Sequence, residues 1–98
     1  MYRDGRRCAG SAFVIFYRPN GRDGSRFGMS VKKALGTAVV RNRIRRRIRE
    51  ILRLHRQEIS PGWDIVIHPR RSVAAAKFSA LAEELLALLR GTIGTSRA

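Results

Sequence analysis

Between Thr37 and Arg56 an apolar residue returns every three or four positions, at Val40, Ile44, Ile48 and Ile51/Leu52. Eight residues of the same stretch are arginine (41, 43, 45, 46, 47, 49, 53 and 56) and only Glu50 is acidic. The spacing is that of an α-helix with one narrow apolar stripe. Thr37, directly after Gly36, is placed to cap it, and the pattern carries it to about His55. Such a helix constrains the fold in two ways. Its stripe must be buried against a second layer, and its like charges at i and i+4 repel by roughly 0.2–0.5 kcal/mol a pair unless an anionic surface meets them. At about 100° per residue Arg45, Arg49, Arg53 and Arg56 fall along a strip beside Ile44 and Ile48, while Arg46 and Arg53 share a further line.

The second layer is supplied by strands. Ser11 to Arg18 is β-branched and aromatic, with Phe13, Ile15 and Tyr17 on one face and Val14 and Phe16 on the other. Ser25 to Lys33 alternates again, Phe27, Met29 and Val31 against Arg26, Gly28, Ser30 and Lys32. Turn residues Pro19 to Gly24 separate the two runs, which predicts a hairpin. Trp63 to His68 is a short buried strand closed by Pro69. Ser72 is a candidate cap for a last helix that buries Phe78, Leu81, Leu85 and Leu88/Leu89 and stops at Gly91. Residues 1–10 are polar, glycine-punctuated and without a clean period. The expected order is therefore strand, strand, helix, strand, helix, an α/β two-layer sandwich, with residues 1–91 as one domain and 92–98 as a flexible tail.

Charge narrows the function. The chain carries 21 basic and 7 acidic residues in 98, a net of +14. Residues 1–56 hold 16 of the basic and 3 of the acidic side chains, so +13 of the excess lies there. Eighteen of the cations are arginine, whose planar fork grips phosphate at two points and stacks on bases. The partner for that field is a polyanion, and nucleic acid above all. The longest apolar runs, Ala12 to Tyr17 and Leu85 to Leu89, are far short of the roughly 20 residues of a membrane span. The apolar stripe of the basic helix is narrow and needed for the core, which argues against membrane-surface binding. A single cysteine, Cys8, excludes an intramolecular disulfide and a cysteine-based zinc site. With no secretory signal visible at the polar start, a cytoplasmic protein is expected.

The stretch Gly36-Thr-Ala-Val-Val-Arg-Asn-Arg-Ile-Arg-Arg-Arg-Ile-Arg-Glu50 resembles the signature of the bacterial ribonuclease P protein subunit: a glycine, a short apolar stretch, then Arg-Asn-Arg and a basic amphipathic helix. Phe27-Gly-Met-Ser-Val-Lys-Lys33 is similar to that family's strand leading into the motif, Trp63 to Arg70 to its fourth strand, and Phe78 to Leu89 to its last helix. The resemblance implies a small, mostly antiparallel sheet with a left-handed strand–helix–strand crossover and a C-terminal helix. It implies a protein that partners a catalytic RNA in removing the 5′ leader of precursor tRNA, one protein per RNA, with Mg2+ belonging to the ribonucleoprotein and no cofactor bound by the protein alone. Arg41, Asn42, Arg43, Arg45, Arg46 and Arg49 would dock on the catalytic RNA. Tyr2, Phe16, Ser30, Lys32, Lys33 and Arg70 would line a cleft for the single-stranded leader. Aromatic platforms beside cations suit that task, although Tyr2 and Phe16 serve equally well as core residues. Two departures stand out. Met1 to Gly5 matches only the final turn of the family's N-terminal helix, and Ser30-Val-Lys-Lys-Ala34 carries one cation a position earlier than the family's Ser-Val-Ser-Lys-Lys.

No nucleophile–base pair or metal-ligand set emerges. His55 and His68 stand alone at the ends of elements, and adjacent Glu83 and Glu84 point about 100° apart, which suits a solvated helix face. The chemistry is accordingly expected to reside in the RNA. A ribosomal or other structural RNA-binding protein shares the charge and size but needs no substrate cleft, and a protein-only ribonuclease is the other alternative.

Overall fold

A computed structural model describes residues 5–93 of the chain. Four strands, β1 (Arg6–Ala9), β2 (Phe13–Pro19), β3 (Arg26–Met29) and β4 (Trp63–Pro69), form one sheet in the order β1-β2-β4-β3. Two helices, α1 (Ala38–Leu54) and α2 (Phe78–Thr92), cover one side of it, giving the two-layer α+β architecture. β1/β2 and β2/β4 are antiparallel, whereas β3/β4 is parallel and is joined through α1.

α1 forms where the period places it. The Thr37 hydroxyl accepts from the Val40 N–H, His55 ends the helix by donating to the Ile51 carbonyl, and Ile44, Ile48 and Ile51 are buried. Gly36 precedes the cap at φ 143°, a conformation side chains resist, and a Cβ there would meet Val40 at 3.0 Å. Strand alternation sorts the sheet. Phe13, Ile15, Ile65 and Ile67 face the helices and are almost fully buried, together with Leu81, Leu85, Leu86 and Leu89 of α2. Val14, Phe16 and Arg18 of β2 and Val66 and His68 of β4 lie on the opposite face and are half-buried.

The hairpin expectation is corrected: β2 and β3 do not pair, because β4 lies between them. No residue of β4 is exposed, and the strand takes neighbours on both edges, Ile65 standing opposite Tyr17 on one side and Phe27 on the other. The loop after β2 is tied to β4 rather than folded back on itself. The Asn20 N–H donates to the Gly62 carbonyl at 2.9 Å, and the Asn20 amide donates to Asp64 Oδ1 at 3.1 Å. β1 was not expected at all. It is an edge strand with three of its four residues exposed, and only pairing from Arg6 opposite Tyr17 to Ala9 opposite Val14 defines it.

The start of the second helix also moves. Arg71–Ala74 is a single 3₁₀ turn, α2 begins at Phe78, and the Ser72 hydroxyl donates to the Ser11 carbonyl at 2.8 Å instead of capping a helix. Phe78 is exposed, not buried. At the other end α2 runs past Gly91 to Thr92, and Ile93 is packed in the core. Glu84, expected in solvent, accepts the N–H groups of Ala12 at 2.7 Å and Phe13 at 3.0 Å, and is contacted by the Ser11 hydroxyl. Gly10 makes room for it, since a Cβ there would lie 2.8 Å from the Glu84 carboxylate.

Candidate nucleic-acid interface

Two surfaces carry the sequence-derived site residues. The first is α1. At about 100° per residue, Arg41, Arg45 and Arg49 lie on one flank of the buried isoleucines, Asn42 and Arg46 point outward, and Arg43 lies on the other flank. Asn42, Arg43, Arg46 and Arg49 are exposed, and Arg41 and Arg45 half-buried. Asn42 Oδ1 accepts from Arg45 Nη1 at 3.0 Å, which holds that guanidinium against the helix. Arg41 Nε is buried and has no hydrogen-bond partner among the described residues.

The acids that could compensate this helix are engaged elsewhere. Asp64 pairs with Arg26 and Arg18, Glu58 with His55 and Arg90, and Glu50 with Arg53. Arg53 holds the Glu50 carboxyl below the usual carboxylate range. No ion pair among the described residues involves any arginine from 41 to 49. The first turn of α1 has no acid either, although the helix dipole favours one there. Six arginines without a carboxylate partner among the described residues thus crowd the first twelve residues of one helix, a distribution that gains from a polyanion.

The second surface is the sheet face that neither helix covers. Arg7, Phe16, Val66 and Gly28 form one row across its four strands, and Arg18, Asp64 and Arg26 form another. Phe16 meets the His68 ring edge-on, with centroids 4.9 Å apart and planes at 72°. Burial, and then the positive charge of Lys32, push the His68 imidazole below its ordinary pKa. Lys32 follows Gly28 on alternate positions and so belongs to the same face. Ser30 continues β3, its N–H donating to the Ile67 carbonyl at 3.0 Å, and alternation places its side chain on the same face. Lys33 is exposed in the turn Lys33–Leu35, and Arg70 is exposed just past β4, its N–H donating to the Ala12 carbonyl at 2.7 Å. Tyr2 lies outside the described residues.

His68 is the residue the sequence reading missed. Its position two residues after Val66 on an alternating strand carried the signal, but only the pairing of β2 with β4 brings it to Phe16. Among the described residues no three His, Cys, Asp or Glu come together in a way that could hold a metal ion. No helix among them is long and apolar enough to cross a membrane.

The Arg18–Asp64–Arg26 row anchors the far end of the open face. Arg26 grips Asp64 with two hydrogen bonds of 2.8 and 2.7 Å, and with Asn20 lowers its carboxyl to about pH 2 against the opposing effect of burial. A carboxyl depressed in this way stabilises the fold above its unfolded pKa, near 4, and the contribution disappears as pH falls toward 2. Replacing Asp64 with Asn is expected to lower the melting temperature by roughly 3–8 °C at pH 7. The gap between variant and parent should close in thermal melts taken down to pH 2, and a gap that persists there would exclude the charge as its cause.

The comparisons with known proteins bear on this geometry. The Ribonuclease P family model matches residues 1–92. The chain belongs to the ribonuclease P protein family. It is 42% identical over 92 residues to the ribonuclease P protein component of Carboxydothermus hydrogenoformans, covering 92% of this chain and 79% of that protein. With the Roseiflexus castenholzii protein component the identity is 46% over 88 residues, covering 86% and 72%. The ribonuclease P protein from Thermotoga maritima superposes with a TM-score of 0.87 at 36% identity, over 92% of this chain and 86% of that one. The Staphylococcus aureus protein does so with a TM-score of 0.79 at 30% identity, over 99% and 83%.

Proposed function

We propose that this chain is the protein subunit of a cytoplasmic ribonuclease P ribonucleoprotein, one copy per catalytic RNA, acting in tRNA 5′ maturation. The Arg41–Arg49 segment of α1 docks on the catalytic RNA. The open sheet face, with Phe16, His68, Ser30 and Lys32 and with Lys33 and Arg70 at its margin, holds the single-stranded 5′ leader of precursor tRNA. Cleavage belongs to the RNA and its Mg2+, and the protein positions the leader and neutralises phosphate charge. The observation that supports this reading is the Phe16–His68 pair on the sheet face that neither helix covers, with Lys32 following Gly28 and Ser30 on that face. A ring edge and a cation offer a base and its phosphate separate partners, and base stacking is worth roughly 1–3 kcal/mol.

The test is precursor tRNA incubated with the protein alone, the catalytic RNA alone, and both at low Mg2+. Cleavage is expected from the RNA and to be enhanced by the protein. Cleavage by the protein alone would refute RNA catalysis, and no enhancement would favour a structural RNA-binding role. In the same assay Phe16→Ala should reduce the preference for precursor over mature tRNA about tenfold and leave mature tRNA binding unchanged. Equal losses for both substrates would make Phe16 a packing residue.

A further inference from the structure

Beside β3 and the C-terminal half of α1 lies a groove that shares only Arg49 with the surfaces above. Its floor is apolar and half-buried, made by Phe27, Leu52 and Ile59 at the edge of the core. Its rim is Arg49, Arg53 and Arg56, and it encloses about 530 Å³, within the roughly 300–1,000 Å³ typical of small-ligand sites. Arg53 is held by Glu50, but neither Arg49 nor Arg56 has a carboxylate partner among the described residues.

We propose that this groove receives one unstacked nucleotide of the catalytic RNA, its base on the Phe27–Leu52–Ile59 floor and its phosphate at Arg49 and Arg56. The inference rests on the docking role assigned to α1 and extends it from phosphate contact to base capture. Two features select this occupant. The rim is continuous with the docking flank, because Arg49 belongs to both, so the polyanion that meets Arg45 reaches the groove without leaving the protein. The floor, in turn, has nothing to offer a duplex: A-form RNA presents phosphates and hydroxyls there, and only a splayed, unpaired base brings an apolar face. An arginine-rimmed platform is what single-stranded nucleotides use.

The experiment uses full-length protein and a transcribed bacterial ribonuclease P RNA. Leu52→Ala removes floor and no charge, so affinity should fall about tenfold with the slope of log K against log salt unchanged, measured well below the variant's melting temperature. Arg56→Ala should reduce that slope by about 0.7–0.9. In methyl-labelled protein, the Leu52 and Ile59 resonances should move upfield in the complex, as a base stacked over them requires. Unchanged methyl shifts together with wild-type affinity for Leu52→Ala would overturn base capture, even while substitutions at Arg45 and Arg46 still weaken binding. Methyl shifts that depend on protein concentration without RNA would assign the groove to a second copy and equally overturn it. Failure of the wild-type protein to bind the RNA at all would instead remove the docking reading on which it rests.

Discussion

Replacing Arg45, Arg46 and Arg49 together with alanine should lower affinity for the catalytic RNA about a hundredfold at physiological salt. It should also flatten the salt dependence by about 2 to 3 in the slope of log K against log salt, one phosphate contact being worth about 0.7–0.9. The expected loss is large because these side chains have no competing carboxylate partner among the described residues. The carboxylates of the described ion pairs are spent on Arg18, Arg26, Arg53, His55 and Arg90. It should also be free of any folding defect. Arg46 and Arg49 are exposed, alanine is the better helix former, and the Arg45–Arg49 repulsion at i and i+4 is removed. The melting temperature should therefore hold within a few degrees while binding collapses. Filter binding from 50 to about 400 mM salt reads both quantities, and an unchanged slope would show that this flank of α1 does not face phosphate.

That helix was legible because its information is local. A cap at Thr37, a stripe at Ile44, Ile48 and Ile51 and an end at His55 are all written within twenty residues, and the structure has each of them. The alternation of β2 and β4 was legible for the same reason, and it sorted Phe13 and Ile15 from Val14 and Phe16 correctly. What failed was long-range. The turn residues from Pro19 to Gly24 do reverse the chain, but nothing local states that β4 inserts between the strands they separate. Ser72 had the residue type of a cap and the spacing of one, and its hydroxyl went to a carbonyl 61 positions away.

The site shows the same division. Composition and the Arg-Asn-Arg context pointed to α1, and alternation put Phe16 and Ser30 on one face of their strands. His68, in contrast, reaches Phe16 and shares a face with Lys32 only because parallel β3 and antiparallel β2 flank the same β4. The displaced lysine of this chain is thus not lost to the open face, since its charge is felt at His68. Lys32 lies beyond the last paired residue of β3, Met29, but two and four positions after Ser30 and Gly28, so alternation keeps it on their face.

Replacing Glu84 with alanine should produce the largest loss of stability among single substitutions outside the apolar core. Its carboxylate is the acceptor for two consecutive backbone N–H groups, those of Ala12 and Phe13, which are 5% and 0% exposed. A buried donor left without an acceptor costs roughly 1–3 kcal/mol, so the pair together is worth about 3 kcal/mol after partial relaxation. For a domain of this size that corresponds to a fall of about 15 °C in melting temperature. The effect should spread, because the same loop is held by Ser72 at the Ser11 carbonyl and by the Arg70 N–H at the Ala12 carbonyl, and so fixes where β4 hands over to Arg70. Glu84→Gln separates the cause from the charge. The amide keeps one carbonyl oxygen in place and should recover about half of the loss, whereas a pure charge effect would leave the two variants equal. Thermal unfolding followed by circular dichroism decides between them. A Glu84→Ala protein within 3 °C of the parent would mean that water reaches Ala12 and Phe13 and takes over as acceptor, so that Gly10, whose missing Cβ admits the carboxylate, could then be replaced by alanine in the same variant without further loss.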